Sequence, residues 1–257
     1  MLTPLQQREV FHLALLRALG RGLPLASHVL KDGSNLRFFF DSVRYSEDMD
    51  LDVTGVAVHV LRDKVLAILQ SGALADTLRT YGVSQVVPPD MRASKQTETV
   101  QRFKVHLITS AGEDLSTKVE FSRRGLDSPA QAEAVPAPVL ARYRMAPLIA
   151  SHYQAEAAAL QKVGALVGRR QPEPRDVFDL HVLSTRLPAR AEGVGGRLAT
   201  ADAEHARERL FSLDYAAYRD AVVGFLDPAD QATYDSAAAW DQIRLTALAV
   251  IERAASR

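Results

Sequence analysis

The stretch that most restricts how this chain can fold is Arg44-Tyr-Ser-Glu-Asp-Met-Asp-Leu-Asp-Val. In it Met49, Leu51 and Val53 alternate with Asp48, Asp50 and Asp52. Period two belongs to an extended strand, whose successive side chains point to opposite faces. The segment therefore predicts a strand with one face for a core and one face of three carboxylates. Such a strand needs neighbours, and two later stretches offer them. Thr99–Ile108 sets Phe103, Val105 and Leu107 against Arg102, Lys104 and His106. Leu115–Ser122 sets Leu115, Thr117, Val119 and Phe121 against Lys118 and Glu120. Both read as half-buried strands.

Around these strands the spacing is helical. Leu5–Leu19 places Val10, Leu13, Leu15, Leu16 and Leu19 on a helical period and ends at Gly20-Arg-Gly. A short helix is expected over Leu25–Leu30, then a turn at Lys31-Asp-Gly-Ser-Asn, and another helix within Val56–Leu69. An Ala- and Pro-rich stretch, Ser128 to Pro138, reads as a linker. Beyond it nothing reads as a strand: the remainder is rich in Ala, Leu and Arg at helical spacing, broken at Gln171-Pro-Glu-Pro, Leu187-Pro and Leu226-Asp-Pro. The expected architecture is α+β, with an N-terminal module over 1–135 and a mostly helical domain over 136–257. The chain of 257 residues is long enough for this division.

Composition removes several chemistries. With no cysteine there is no disulfide, zinc-thiolate site, iron–sulfur cluster or thiol nucleophile. The start lacks a basic region leading into an apolar one, so no signal peptide is expected. No window approaches 18 uninterrupted apolar residues, so no transmembrane helix or membrane partner is expected. These features fit a cytoplasmic protein. Lys and Arg total 31 against 31 Asp and Glu, which speaks against nonspecific coating of nucleic acid.

The chemistry lies in the acidic strand. Carboxylates crowded on one face repel unless a cation compensates, and hard oxygen ligands suit Mg²⁺ or Mn²⁺. In phosphoryl transfer such ions activate the attacking oxygen and stabilise the leaving pyrophosphate. An isolated Asp-x-Asp-x-Asp is also what a solvated edge strand looks like. Here, however, 13 residues separate Gly33-Ser34 from Asp48. A Gly-Ser turn entering a helix offers backbone N–H groups and a hydroxyl to phosphate. Glu120 is the only acid inside the later strand pattern and is the candidate third carboxylate; its alternative is a surface glutamate beside Lys118.

Lys31-Asp-Gly33-Ser34-Asn-Leu36-Arg37, followed by Arg44-Tyr-Ser46-Glu-Asp48-Met-Asp50, resembles the first motif of the AbiEii/AbiGii toxin family, nucleotidyltransferases of the DNA polymerase β type. The family usually carries Gly-Gly-Thr where this chain has Asp32-Gly33-Ser34, and an acid there opposes a triphosphate. Lys118-Val-Glu120-Phe-Ser is similar to the family's third-carboxylate strand. Lys162-Val-Gly-Ala-Leu-Val-Gly-Arg169 and Arg175-Asp176-Val-Phe178-Asp179-Leu180 are similar to its closing motifs. The likeness spans about residues 28 to 185.

The resemblance implies a polymerase β-like module in which Asp48, Asp50 and Glu120 bind metal, and Gly33, Ser34 and Ser46 serve the phosphates. Lys162 and Arg169, seven apart on one helix face, would meet the triphosphate. Asp176 and Asp179 share a helix face, and one of them would orient Lys162 or the incoming nucleotide's partner groups; capping by Asp176 or a salt bridge to Arg175 are the plainer roles. The implied activity is transfer of NMP from an NTP to a hydroxyl, with the 3′ end of tRNA as the expected acceptor and a separately encoded antitoxin as partner, in toxin–antitoxin or phage-defence systems. Arg102, Lys104, Arg123, Arg124, Arg142 and Arg144 are candidates for a basic rim that contacts RNA, and equally for solvated surface. The alternatives are an NTP- or RNA-binding module of the same fold without turnover, or nucleotidylation of a protein or small molecule.

Overall fold

In the computed structural model, residues 2–92, 94–124, 129–187 and 196–255 are described. The fold is α+β. By its contacts the chain forms two units: Met1–Phe39 with Tyr45–Tyr153, and Phe40–Arg44 with Gln154–Arg257.

The first unit opens with α1 (Pro4–Gly22). Thr3 caps it, accepting from the Gln6 N–H at 3.3 Å while the Gln6 side chain accepts from the Thr3 N–H at 3.1 Å. This reciprocal pair, with Pro4 in the first turn, fixes where the helix begins. There follow β1 (His28–Lys31), α2 (Asp32–Phe39), β2 (Met49–Val53), α3 (Val58–Leu69), α4 (Gly72–Arg79), β3 (Val83–Val87), β4 (Val100–Thr109), β5 (Asp114–Ser122), β6 (Ala130–Ala134), α5 (Ala137–Ala141) and β7 (Ile149–Tyr153). The strands form one mixed sheet in the order β3-β4-β5-β2-β1-β7-β6. β2 runs parallel to β5 and antiparallel to β1, while β7 runs parallel to β1.

The three strands legible from alternation are present, with Met49, Leu51, Phe103, Val105, Leu107, Val119 and Phe121 all fully buried. Each such side chain contributes about 1.5–3 kcal/mol by leaving water, so this face anchors the sheet. α1 covers it, and His12 Nε2 lies 2.9 Å from the Thr117 hydroxyl.

Three expectations are corrected. The helix expected over Leu25–Leu30 is a single 3₁₀ turn, Leu25–Ser27, followed by β1. Val29 and Leu30 are both buried, so no alternation marks that strand. The stretch read as a linker contains β6, and β7 lies in the region where no strand was expected. Ser128, at the head of that stretch, lies outside the described residues, as does Pro188 of the Leu187-Pro break. Because β6 pairs with β7 and β7 with β1, the first unit extends to Tyr153, past the 135/136 boundary expected from composition.

The second unit is helical: α6 (Ala155–Gly168), α7 (Pro174–Ser184), α8 (Thr200–Phe211), α9 (Tyr215–Ala221), α10 (Pro228–Tyr234) and α11 (Ala237–Ala255). α7 packs on α6 and α11, and α8 on α6 and α11. Trp240 stacks on Tyr218 with ring centroids 4.5 Å apart, and Phe178 meets Tyr234 edge-on at 5.5 Å. No helix among the described residues is long and apolar enough to cross a membrane.

Candidate active site

The sheet register assembles the acidic face. Asp50 lies directly opposite Glu120 on β5 and Lys31 on β1, and Glu120 lies opposite Arg102 on β4. Directly opposed side chains share a face at about 4.5–5.5 Å between Cβ atoms. Lys31, Asp50, Glu120 and Arg102 therefore form one charged row across four strands. Arg102 Nε donates to Glu120 Oε2, and the Lys118 ammonium lies 4.0 Å from the same oxygen. Lys118 also sits 3.1 Å from Asp48 Oδ2, while its backbone N–H donates to Asp48 Oδ1 at 2.9 Å.

Asp48 is held from several sides. Ser34 Oγ and Ser46 Oγ both donate to its carbonyl, at 3.0 and 2.8 Å. Thr117 Oγ1 donates to the neighbouring Glu47 carbonyl at 2.7 Å. A hydroxyl has one proton to give, so the 2.9 Å contact with His12 must be a bond from the imidazole N–H to Thr117. Burial pushes His12 down to about 4, which keeps it neutral and fit for that part. The two serines expected at phosphate thus spend their protons on the Asp48 backbone. What the helix start leaves for an anion is the first N–H groups of α2, which have no intrahelical acceptor.

Asp32 stands where the family that the sequence resembles usually carries glycine. Its φ is +55°, in the left-handed region that glycine enters freely and that Asp and Asn enter more readily than other residues. The glycine usual at this position answers a backbone need that Asp32 also meets, but Asp32 brings a charge. Asp50 titrates at about 6: burial raises it, Asp32 adds to that, Lys118 opposes, and Glu120 and Asp48 raise it further. Lys118 is itself raised; burial opposes the shift, but Asp50, Asp48 and Glu120 outweigh it.

Asp52, third in the acidic alternation, is separate from this group. It is buried, paired with Lys31 Nζ at 2.7 Å, and accepts the Tyr153 hydroxyl at 2.7 Å, so its part is to tie β1, β2 and β7 together.

Among the described residues no three acidic or histidine side chains form a ready-made metal cage. The donor chemistry nevertheless suits a hard divalent cation. Asp48, Asp50 and Glu120 act on Lys118, Arg102 pairs with Glu120, and Asp32 is close enough to raise Asp50, an excess of acid that a divalent ion would neutralise. Lys118 is the residue that spacing alone underrated. It stands two before Glu120 on the same strand face, and was read only as that residue's neighbour.

The helical unit carries a polar cluster of its own. Lys162 on α6 is buried, with its ammonium 2.9 Å from Asp179 Oδ2 and 3.2 Å from Asp176 Oδ1. Arg44 Nη2 reaches both oxygens of Asp179, at 2.8 and 3.0 Å. Asp179 is fully buried; burial alone would raise its carboxyl, but Arg44 and Lys162 together hold it below the ordinary range. Arg169, the residue capping α6, pairs with Glu173 and lies 3.1 Å from Asp176 Oδ2. Asp176 is three residues past the cap Glu173 and is turned to Lys162 and Arg169 instead of capping the helix.

The residues expected to form a basic rim do not share one surface. Arg102 is paired with Glu120, and Arg123 donates to the Val56 carbonyl at 3.1 Å. Lys104 shares a sheet face with Arg102, as its alternation requires. Arg142 and Arg144 follow α5 and line concavities beside α1 and α4.

A sequence profile described as nucleotidyl transferase AbiEii toxin, type IV toxin–antitoxin system, matches residues 14–244. No curated protein sequence matches the chain. Among solved structures, MenT4, a nucleotidyltransferase toxin from Mycobacterium tuberculosis H37Rv, superposes with a TM-score of 0.66 at 18% identity, covering 97% of this chain and 84% of that one. JHP933 from Helicobacter pylori superposes with a TM-score of 0.53 at 17% identity, covering 99% and 94%. At these identities the structures attest the fold, and the profile, spanning most of the chain, attests the family. The chain belongs to the AbiEii nucleotidyl transferase toxins of type IV toxin–antitoxin systems.

Proposed function

We propose that this nucleotidyltransferase toxin transfers NMP from an NTP to a hydroxyl of RNA, with the 3′ end of tRNA as acceptor, and that it requires Mg²⁺ or Mn²⁺. The observation that carries this reading is the direct pairing of Asp50 with Glu120 beside Asp48, in a group with more acid than its own lysine and arginine neutralise. Asp48, Asp50 and Glu120 would hold the divalent ion, which would neutralise charge on the reacting phosphates.

The chain's own residues account for the rest. The Ser34, Ser46 and Lys118 bonds fix Asp48 before substrate arrives, so little reorganisation is left for the reaction. Both cations near Glu120 lie at Oε2, which leaves Oε1 to take the proton of the acceptor hydroxyl. The acceptor oxygen forms a bond to the α-phosphorus, the bond to the β-phosphate oxygen breaks, and pyrophosphate leaves. Lys162, oriented by Asp176 and Asp179, is assigned to the charge on that leaving group. Most of the acceleration would come from positioning and electrostatics. A cognate antitoxin restrains the activity in a cytoplasmic setting, and the system serves growth control or phage defence.

The test is to incubate the protein with Mg²⁺, each α-labelled NTP in turn and total tRNA, beside Asp48→Ala. Label moving to RNA with wild type alone supports the proposal. Label on protein or on a small molecule instead would refute RNA as acceptor, and NTP binding without any transfer would refute turnover.

A further inference from the structure

Lys118 is fixed to Asp48 at two points. Its backbone N–H donates to Asp48 Oδ1 at 2.9 Å, and its ammonium lies 3.1 Å from Oδ2 of the same carboxylate. The ammonium is also 4.0 Å from Glu120 Oε2, the oxygen to which Arg102 Nε donates. It therefore stands between the first and the third carboxylate of the site. Lys104 lies directly opposite Lys118 on β4. Like charges so placed repel, which drives the Lys118 side chain away from β4 and toward the acids of β2. Only 30% of that side chain is exposed, so the charge is screened less than it would be on open surface.

Charge and oxygen atoms then limit the metal. Asp48, Asp50 and Glu120, with Asp32 close enough to act on Asp50, are four acids against the two bases Lys118 and Arg102. The difference of two negative charges is what a single divalent ion carries. A second ion would leave the group as positive as it began negative. The oxygens agree: Asp48 Oδ1, Asp48 Oδ2 and Glu120 Oε2 each already face a donor of Lys118 or Arg102. An ion bridging Asp48 and Glu120 would have to enter where the ammonium stands, against its charge. A carboxylate oxygen has more than one lone pair, so Asp48 can still join Asp50 in holding one ion.

We infer that Lys118 takes the place of a second metal ion, so that this nucleotidyltransferase works with one divalent cation and one ammonium where a two-ion site carries two cations. The inference rests on the reading that Asp48, Asp50 and Glu120 hold metal. The transfer step keeps its balance: the proton of the acceptor hydroxyl goes to Glu120 Oε1, its oxygen bonds to the α-phosphorus, and pyrophosphate leaves. What changes is the source of positive charge beside the attacking oxygen. An ammonium has three N–H groups, and Lys118 needs one for Asp48; the others remain for Glu120 and for a nonbridging oxygen of the reacting phosphate. Unlike an ion, the ammonium cannot dissociate, so the site is complete once a single metal position is filled.

The test counts Mn²⁺ bound to the full chain without nucleotide, from the loss of the free-ion EPR signal as the ion is titrated to saturation. Wild type should hold one ion per chain and Lys118→Met two. Lys118→Gln, which keeps a donor for Asp48, should also hold two, and serves where the apolar variant fails to fold in thermal unfolding. Lys118→Arg, which keeps a cation between Asp48 and Glu120, should hold one. Arg102→Gln removes an equal charge but leaves the ammonium in place, and should hold one as well. Two ions on wild type or on Lys118→Arg, or one on the folded Lys118→Met or Lys118→Gln protein, overturns the inference and leaves the carboxylate reading standing. Two ions on Arg102→Gln also overturns it, because total charge would then set the count and not the place of the ammonium. No ion on wild type overturns both the inference and the reading beneath it.

Discussion

Replacing Asp179 by Asn tests whether the buried cluster of the helical unit holds that unit together. The substitution keeps the size of the side chain and removes its charge. In the native protein the carboxylate faces Arg44 at 2.8 and 3.0 Å and Lys162 at 2.9 Å, with no exposure to water. Without it, Asp176 is left to balance Lys162 and Arg169, and the Asn amide presents a donor where a cation needs an acceptor. Breaking a buried pair on one side costs about 3–5 kcal/mol, because the partner's charge stays buried. For a unit of roughly 100 residues that lowers the melting temperature by at least about 12 °C. The pH dependence carries the sharper test. Asp179 is held below its ordinary value near 3.8 in the folded state, so it adds stability above that pH and loses it as pH falls through the lower folded value. The gap between wild type and Asp179→Asn, from urea unfolding, should be full at pH 7 and close progressively below about pH 4. The double variant Lys162→Met/Asp179→Asn should recover part of the loss, since it removes one of the two cations left stranded. A gap under about 1 kcal/mol at pH 7, or one that persists unchanged into strong acid, would refute the reasoning.

Three further predictions concern the carboxylate face. Mn²⁺ or Mg²⁺ should raise the melting temperature of wild type but not of Asp48→Asn/Asp50→Asn, measured by calorimetry, because the ion binds the folded state through those oxygens. Lys118→Met should bind Mn²⁺ on the order of tenfold more tightly by titration calorimetry, since the ammonium 3.1 Å from Asp48 competes with the ion; unchanged affinity would show that it does not. Asp32→Gly keeps the left-handed backbone at no steric cost and removes a charge that raises Asp50. It should bind NTP several-fold more tightly and move the Asp50 titration, followed by carboxyl NMR, from about 6 toward 3.8; as a carboxyl raised in the folded state loses stability while pH climbs between those values, the variant should be the less destabilised on going to pH 7.

The strands read correctly from sequence are those with one buried and one polar face. β4 and β5 alternate because water meets one side of each, and β2 alternates because one of its faces is given over to carboxylates. β1 and β7 are covered on both sides over most of their length, so period two is absent from Val29-Leu30 and from Ala150-Ser-His-Tyr153. β6, Ala-Gln-Ala-Glu-Ala, has weak strand propensity and is a strand because β7 supplies its hydrogen bonds. The parallel pairing of Leu30 with His152 joins positions far apart in the chain, and no local pattern announces it. The same limit applies at the site. Parity along a strand brings Asp50 and Glu120 onto one face, and a three-residue helical step brings Asp176 and Asp179 together. Neither tells where a hydroxyl sends its proton, which is why Ser34 and Ser46 are found bracing Asp48. Nor does spacing show that Arg44 closes on Asp179, since that bond spans 135 positions.

The balance of 31 cations against 31 anions is the least informative number in the sequence, and the structure shows why. At physiological salt a charge is felt over about 8 Å, so what a partner meets is the local sum. Lys162 and Arg44 are matched in number by Asp176 and Asp179, so their cluster carries no excess of either sign. The sheet row ends in excess acid at Asp48, Asp50 and Glu120, which selects cations. Beside α1 and α4, Arg17, Arg21 and Arg144 line a hollow that no carboxylate lines, an excess of the opposite sign. Because the two excesses belong to opposite faces of one sheet, a polyanion drawn to the arginines is not repelled at the same spot by the carboxylates. A net charge of zero thus conceals one surface that favours cations and another that favours anions.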